Sequence, residues 1–168
     1  MTGRLIPMST SASPLAWSKW QALPTPWRPN AAVLAETVDG GQSFRWAETD
    51  GIWTGLWGDC VAQLRIQEDV LHWRAPAPLA PAVGTALPRY LGAEHDWAAL
   101  TDALPWRSDA HLAQCLAVYP SLRILRQPFG ETLLGFLCSA TKQIVQIKQM
   151  CALLAERHGR TIAPTFNR

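Results

Sequence analysis

Apolar and polar residues alternate in short runs between residues 31 and 74. Residues that favour turns interrupt these runs as Asp-Gly-Gly, Thr-Asp-Gly, Gly-Asp and Glu-Asp. A period of two between turn signals is typical of β-strands that bury one face. The pattern predicts an antiparallel meander with strands at residues 33–38, 43–48, 52–57, 61–67 and 70–74.

Two stretches flank the predicted meander without any period. Residues 1–30 are rich in Ser, Pro and Trp and are predicted to form a loosely ordered leader, in which Met8 is an alternative start. Residues 75–88 contain four prolines, which remove backbone donors that a strand would need. We therefore predict a linker or covering loop over 75–88.

The chain after the linker predicts helices. Asp96 is a suitable N-cap for a short helix that ends at Leu104, and Ser108 is a suitable N-cap for a second helix. Pro128 suits the first turn of a third helix over residues 129–139. That helix is apolar nearly all round, so it needs other elements to bury it, and without them it is predicted to expose a hydrophobic patch.

The most regular pattern begins at residue 143. Ile144, Ile147, Cys151 and Leu154 recur at spacings of three and four, and Gly159 is a natural C-cap. This pattern predicts an amphipathic helix over residues 143–158. A sheet followed by helices predicts an α+β fold, with an antiparallel β domain preceding an all-α part.

Charge is distributed unevenly along the chain. The net charge of +2 divides into +5 from Arg123 onward, where seven basic residues face two acidic ones, and −3 before it. A local excess of positive charge is what a phosphate-facing surface needs, although a solvated helix face has the same composition. The charge pattern alone leaves these two interpretations open.

The four cysteines indicate neither a metal site nor a redox motif. Cys60, Cys115, Cys138 and Cys151 form no CxxC pair and have no histidine at ligand spacing, so we expect no metal and no cofactor. Residues 1–8 carry one arginine and no sustained apolar run, which predicts neither a signal peptide nor a membrane span. An intracellular, cytoplasmic protein with reduced thiols is expected.

Two motifs carry a resemblance to a known family. The first is Gly-Gln-Ser-Phe-Arg-Trp at 41–46, followed by Trp-Thr-Gly at 53–55. The second is Leu-Arg-Gln-Pro at 125–128, which continues through Phe-Leu-Cys-Ser at 136–139 to Lys-Gln-Met at 148–150, with Tyr-Leu at 90–91 between the two motifs. Over residues 31–158 the chain resembles the 8-oxoguanine DNA glycosylases, whose N-terminal β domain is fused to a helix-hairpin-helix domain.

The resemblance implies a pocket for a damaged base at the first motif. The main-chain carbonyl of Gly41 would face the flipped-out oxidised base, and Gln42, Ser43 and Phe44 would flank it. Arg45 and Trp46 would anchor the following strand. From the residues alone, a simple turn at Gly40 and Gly41 is the favoured interpretation, because glycine turns are common.

The resemblance also implies a contact with the base opposite the lesion. In the turn after Ser139 the family carries asparagines, and the present chain has Thr141, Lys142 and Gln143 there. In the next turn the family carries an arginine, which is replaced by Gln146. Lysine still suits phosphate, and glutamine still suits a base edge, but selectivity for cytosine is not implied by these residues. A polar loop that only joins two helices is the alternative.

The family's catalytic lysine, its assisting aspartate and its phosphate-gripping hairpin have no counterpart at the matching positions of this sequence. We therefore expect no catalytic residue within the chain and no activity without a C-terminal catalytic half. The resemblance implies three segments: a leader at 1–30, the β domain at 31–107, and the first helices of a truncated helix-hairpin-helix domain at 108–168.

Double-stranded DNA containing oxidised guanine is the expected partner. Two alternatives stay open: a non-enzymatic DNA-binding module, and a tryptophan-rich β domain that binds another ligand such as a glycan.

Overall fold

The fold is built on a five-stranded antiparallel sheet, seen in a computed structural model that describes residues 16–140 and 142–162. The strand order is β1-β5-β4-β3-β2. The strands are β1 (Gln21–Ala22), β2 (Trp46–Thr49), β3 (Ile52–Trp57), β4 (Cys60–Gln67) and β5 (Val70–Arg74). The predicted α+β class is confirmed, and four of the five predicted strands form an antiparallel meander.

Tight turns fix the register of the central hairpins. Asp50 and Gly51 between β2 and β3 have φ values of 52° and 76°, and Glu68 and Asp69 between β4 and β5 have 52° and 59°. Positive φ at both central residues gives the turn twist that matches paired strands. The turn signals in the sequence therefore predicted β3 and β5 at their observed bounds, and β4 within one residue.

The first predicted strand, residues 33–38, is wrong because this segment forms helix α1 (Ala31–Asp39). The Asn30 side chain accepts a hydrogen bond of 2.8 Å from the Val33 N–H and so caps the helix. Val33, Leu34 and Val38 are buried on one face. The second strand begins at Trp46 rather than at residue 43, since residues 40–45 form the loop between α1 and β2.

The predicted linker at 75–88 is also wrong. After a 3-10 turn at Ala77–Leu79, residues form helix α2 (Ala80–Tyr90). One proline lies in the first turn, where a missing N–H costs nothing, although Pro88 lies inside the helix. Burial of Val83 and Leu87, both 0% exposed, stabilises the helix against that cost.

Residues 16–30 pack against the sheet instead of forming a loose leader. β1 pairs with β5, and Trp17 forms a bridge with Pro76. Leu23 and Trp27 are each 3% exposed in the core. The segment is held because its apolar residues complete the core at the edge of the sheet. The proposed alternative start, Met8, lies outside the described residues.

Four helices follow the sheet and α2. They are α3 (Trp97–Asp102), α4 (Ala110–Val118), α5 (Phe129–Ser139) and α6 (Ile144–His158). Asp96 caps α3 as predicted, whereas α4 is capped by Asp109 rather than Ser108, because the Asp109 carboxylate accepts from the His111 and Leu112 N–H groups. α6 ends at the predicted Gly159.

Helix α5 forms as predicted but is not buried. Gly135 and Cys138 are its buried residues, while Phe129 is 81% and Phe136 71% exposed. The predicted hydrophobic patch on α5 is therefore confirmed, and α5 and α6 present an apolar face to solvent. Within the described ranges, no helix is long and apolar enough to cross a membrane.

Candidate lesion-recognition site

The loop between α1 and β2 places the first motif at the surface. Gly41 has φ of +101°, a conformation that side chains of L-residues rarely adopt. Among the described residues, a Cβ added to Gly41 would have Ile144 Cδ1, at 3.7 Å, as its one neighbour within 4 Å. Glycine is therefore required here by the backbone, and the peptide is open to solvent on its remaining side.

Gln42 fastens this loop to the segment that precedes α5. Its side-chain Nε2 donates to the Arg123 carbonyl at 2.8 Å, and its Oε1 accepts from the Leu125 N–H at 2.9 Å. Gln127 in turn donates to the Gln42 carbonyl. The Gln42 amide thus pairs with main chain as a neighbouring strand would, so its side chain holds the loop rather than offering donors to a ligand.

Ser43 and Phe44 face inward from the loop. Ser43 is 6% exposed, and its hydroxyl donates to the Val38 carbonyl at 2.9 Å. The Phe44 ring lies against α5 at Gly135, where an added Cβ would come within 3.0 Å of the ring. A glycine at this point of α5 therefore allows the helix to approach the loop closely.

A small cavity opens between the loop, the sheet and α5. Its volume is about 40 Å³. A cavity of about 150 Å³ binds benzene, which is smaller than a purine, so the present cavity is too small for a purine as it stands. It is lined by Gln42, Ser43, Phe44, Arg45, Trp57, Tyr90, Gln127, Glu131, Thr132, Gly135 and Cys151.

Sequence reasoning named three of the lining residues as pocket residues and missed most of the others. Gln127 belongs to the second motif, and its membership of that motif was the signal that could have identified it as a lining residue. Glu131 and Cys151 come from α5 and α6, and nothing local in the sequence places them beside the loop. Burial is the main cause that raises the pKa of the Cys151 thiol, so it faces the cavity uncharged near neutral pH.

Three aromatic rings form the floor of the site. Trp46, Trp57 and Tyr90 stack on one another with centroid distances of 4.4 to 6.2 Å. The Trp46 Nε1–H donates to the Tyr90 hydroxyl at 3.0 Å. Such stacked and hydrogen-bonded rings give a rigid base for the loop above them.

Tyr90 should remain a neutral phenol up to high pH. Burial raises the pKa of Tyr90 to about 12. Because the folded pKa lies above the unfolded value of about 10, this contribution to stability is complete below pH 10 and is lost as the pH rises toward 12. In a Tyr119→Phe variant, which leaves Tyr90 as the only tyrosine, phenolate absorbance should be absent at pH 10. Phenolate formation at pH 10 in the folded protein would contradict it.

Arg45 joins β2 to α5 at the rim of the cavity. Its guanidinium pairs with Glu131 at 3.2 Å, and Glu131 also accepts from the Gly58 N–H at 3.0 Å. Both side chains are about one third exposed. The anchoring role predicted for Arg45 thus has a partner, and the Glu131 carboxylate bridges two strand ends and a helix.

The turn between α5 and α6 lies beside the first motif. Lys142, Gln143 and Gln146 are exposed there, and the Gln146 side chain accepts from the Gln143 N–H at 3.1 Å. Thr141, the fourth residue predicted to contact DNA, lies outside the described residues. Because Ile144 Cδ1 lies 3.7 Å from the position that a Cβ on Gly41 would take, the two candidate sites adjoin each other.

One ion pair reinforces this arrangement. Lys148 of α6 pairs with Asp39, the last residue of α1, and its Nζ also donates to the Trp46 carbonyl at 3.4 Å. Lys148 therefore holds both ends of the loop that carries Gly41. The beginning of α6 and the loop form one structural unit.

Most of the basic side chains after residue 122 are either paired with a carboxylate of the same chain or buried. Arg126 pairs with Glu94, Lys148 with Asp39 and Arg160 with Asp59, while Arg123 is only 6% exposed. The net charge of +5 therefore does not form a continuous basic surface. In the part of this segment that the structure describes, Lys142 and Arg157 are the exposed basic residues without a carboxylate within 4 Å.

Comparison with known proteins agrees with this geometry. The sequence model described as "8-oxoguanine DNA glycosylase, N-terminal domain" matches residues 26–133, more than half of the chain. The chain belongs to the 8-oxoguanine DNA glycosylase family. The match contains Gly41, Gln42, Ser43 and Phe44 and ends within α5.

Individual relatives extend this finding. The N-glycosylase/DNA lyase OGG1 of Arabidopsis thaliana is 29% identical over 154 residues, which cover 86% of this chain and 42% of the plant protein. The structure of MBOgg1 in complex with a low-affinity DNA ligand has a TM-score of 0.67 and 29% identity, over 79% of this chain and 45% of that one.

A more distant neighbour shares the fold. The 8-oxoguanine glycosylase/lyase of Clostridium acetobutylicum in its apo form has a TM-score of 0.68 at 22% identity, over 80% of this chain and 46% of that one. The chain thus spans less than half the length of these glycosylases.

No group of three or more His, Cys, Asp or Glu side chains suited to a metal ion occurs within residues 16–140 and 142–162.

Proposed function

We propose that this chain is the lesion-recognition part of an 8-oxoguanine DNA glycosylase and lyase, and that it needs a catalytic half to excise the base. The observation that carries the proposal is the adjacency of the Gly41 loop and the beginning of α6. A protein that reads a flipped base and the base it leaves behind needs two neighbouring contact surfaces of this kind.

The chemistry of the lesion fits a main-chain acceptor at Gly41. Guanine N7 is a hydrogen-bond acceptor, whereas N7 of 8-oxoguanine carries a hydrogen. A carbonyl facing N7 therefore gains a hydrogen bond with the lesion and meets a lone pair in the normal base. The open side of Gly41 and the left-handed φ are both compatible with such an approach.

The cavity below the loop supports a role in base recognition only if it widens. Phe44 lines the cavity beside Gly135 of α5, and a rotation of this half-buried ring would enlarge the cavity. Phe44 would then stack on one face of the base, as aromatic residues do with unstacked bases. Lys142, Gln143 and Gln146, with Thr141, would contact the opposite strand.

The proposal is tested by measuring binding of the chain to duplexes with one 8-oxoguanine opposite cytosine and with guanine at the same position. Tighter binding to the lesion duplex is expected. Borohydride trapping on an abasic duplex should give no covalent adduct, since the sequence has no lysine matching the family nucleophile. Equal affinity for both duplexes, or an adduct that Lys142→Ala removes, would overturn the proposal.

Lys142 should contribute to duplex binding through phosphate. Because it is exposed and lacks a carboxylate partner, Lys142→Gln is expected to lower the slope of log affinity against log salt by about 1. Arg89→Gln is the matched control, because Arg89 pairs with Glu94 at 3.4 Å, and this variant should leave the slope unchanged. An unchanged slope for Lys142→Gln would remove this residue from the DNA surface.

A further inference from the structure

A pair of arginines lies on the face of the sheet opposite the core. Leu64, Leu71 and Trp73 point from β4 and β5 into the core, so the alternate residues Arg65 and Arg74 lie on the other face. Both are half-buried. The lesion loop precedes β2, at the opposite edge of the sheet from β1, so this surface is separate from the candidate lesion site.

Trp20 covers both guanidinium groups. The Arg65 Cζ lies 4.2 Å and the Arg74 Cζ 4.6 Å from the centroid of the Trp20 ring, and Arg74 is also 5.2 Å from Trp17. Stacking on a ring uses the flat face of a guanidinium group and leaves the N–H groups at its edge free to donate. The ring also shields the two charges from water, which strengthens their attraction for an anion.

Neutral side chains hold the two arginines in place. Arg74 Nε donates to Gln63 Oε1 at 2.7 Å, and Arg65 Nη2 donates to Gln67 Oε1 at 2.7 Å. Arg65 Nε is buried and has no hydrogen-bond partner. Glutamine fixes the position of a guanidinium group without neutralising it, so the positive charge and several donors stay available.

No carboxylate balances this charge. Among the described residues, neither arginine has an acidic side chain within 4 Å, whereas Arg45, Arg89, Arg107, Arg126 and Arg160 all do. Residues 1–15, 141 and 163–168 contain no aspartate or glutamate. Burial and the neighbouring charge of Arg65 lower the pKa of Arg74, as expected for two cations held close together.

We propose that Arg65 and Arg74, stacked on Trp20, form a binding site for a phosphate group on the outer face of the sheet. A phosphate offers oxygen acceptors to two guanidinium edges at once and supplies the missing negative charge. The ligand is a nucleic-acid backbone or a small phosphorylated molecule. The site is independent of lesion recognition.

The direct test follows the arginine Nε–H resonances of the 15N-labelled chain during titration with inorganic phosphate and with a short single strand free of lesions. Ionic strength is held constant with chloride. Resonances of Arg65 and Arg74 should shift with saturation, while that of Arg107 should not. Arg107 is the internal control, because it stacks on Trp106 at 4.2 Å but has Asp102 as its partner. No shift, or the same shift with chloride alone, would overturn the proposal.

Substitutions then show whether Arg65 and Arg74 contribute to the affinity for phosphate. Arg65→Gln and Arg74→Gln should each weaken phosphate binding about tenfold, because each removes charge-assisted hydrogen bonds, and Arg107→Gln should not. Arg65→Lys and Arg74→Lys keep the charge if a glutamine variant fails to fold, and should still bind more weakly than wild type. Unchanged affinity in all four would reject the site. Binding of the strand in addition to phosphate identifies a nucleic-acid backbone, and binding of phosphate alone identifies a small ligand.

Discussion

Replacing Trp46 with alanine is expected to destabilise the protein by about 3 to 5 kcal/mol. The ring is 2% exposed and stacks on Trp57 and Tyr90. It also lies so close to Gly55 that an added Cβ there would overlap it. Loss of the ring would leave a cavity under the Gly41 loop and an unpaired Tyr90 hydroxyl. Single domains are stable by about 5 to 15 kcal/mol, so the variant would lose a large fraction of its free energy of unfolding.

Chemical denaturation of wild type and variant gives this difference directly. Trp106→Ala is the matched control, because Trp106 is half-buried on the surface and its recorded ring contact is with Arg107. The control should cost far less than Trp46→Ala. A cost below about 1 kcal/mol for Trp46→Ala would mean that the aromatic stack does not support the fold.

The sequence predicted the central sheet because its signals there are local. Alternation with a period of two, interrupted by Asp-Gly and Glu-Asp, specifies both the strands and the turns of β3, β4 and β5. The same holds for α6, whose spacing of apolar residues and terminal Gly159 are visible without any tertiary information. In these elements the apolar spacing and the turn or cap residues all favour the structure that the chain adopts.

The errors occur where packing outweighs local preference. Residues 33–38 contain β-prone valines, but the Asn30 cap and burial of Val33, Leu34 and Val38 on one face favour a helix. The proline-rich segment before Tyr90 forms a helix because one face packs on the sheet, which composition does not reveal. Tertiary burial is the term that a single sequence leaves hidden.

In the candidate site, too, features with a local signal could be predicted and features set by distant contacts could not. Gly41 was identifiable from its motif, and its φ of +101° agrees with the need for glycine. The roles of Gln42 and Lys148 were not identifiable, since Gln42 bonds to residues 123–125 and Lys148 bonds to Asp39. Both contacts span at least 80 residues, and no local pattern encodes them.

Replacing Gly41 with valine is expected to reduce the preference for 8-oxoguanine over guanine roughly ten- to hundredfold. The added Cβ has enough room, because its distance of 3.7 Å to Ile144 Cδ1 is an ordinary van der Waals contact. The substitution is unfavourable because a β-branched residue rarely adopts a φ of +101°. The loop must therefore change conformation, which moves the carbonyl proposed to face N7. The chain is best tested when joined to a glycosylase catalytic half, with excision of 8-oxoguanine compared against cleavage of a preformed abasic site.

Gly51→Val separates recognition from general damage to the fold. Gly51 also has a positive φ, of 76°, but lies in the β2–β3 turn with nothing within 4 Å of an added Cβ. It therefore carries a comparable backbone strain away from the loop. Gly41→Val should lose excision more than abasic cleavage, because a preformed abasic site presents no base to the carbonyl, whereas Gly51→Val should change both alike or neither. If Gly41→Val lowers both activities by the same factor, Gly41 serves only to turn the chain.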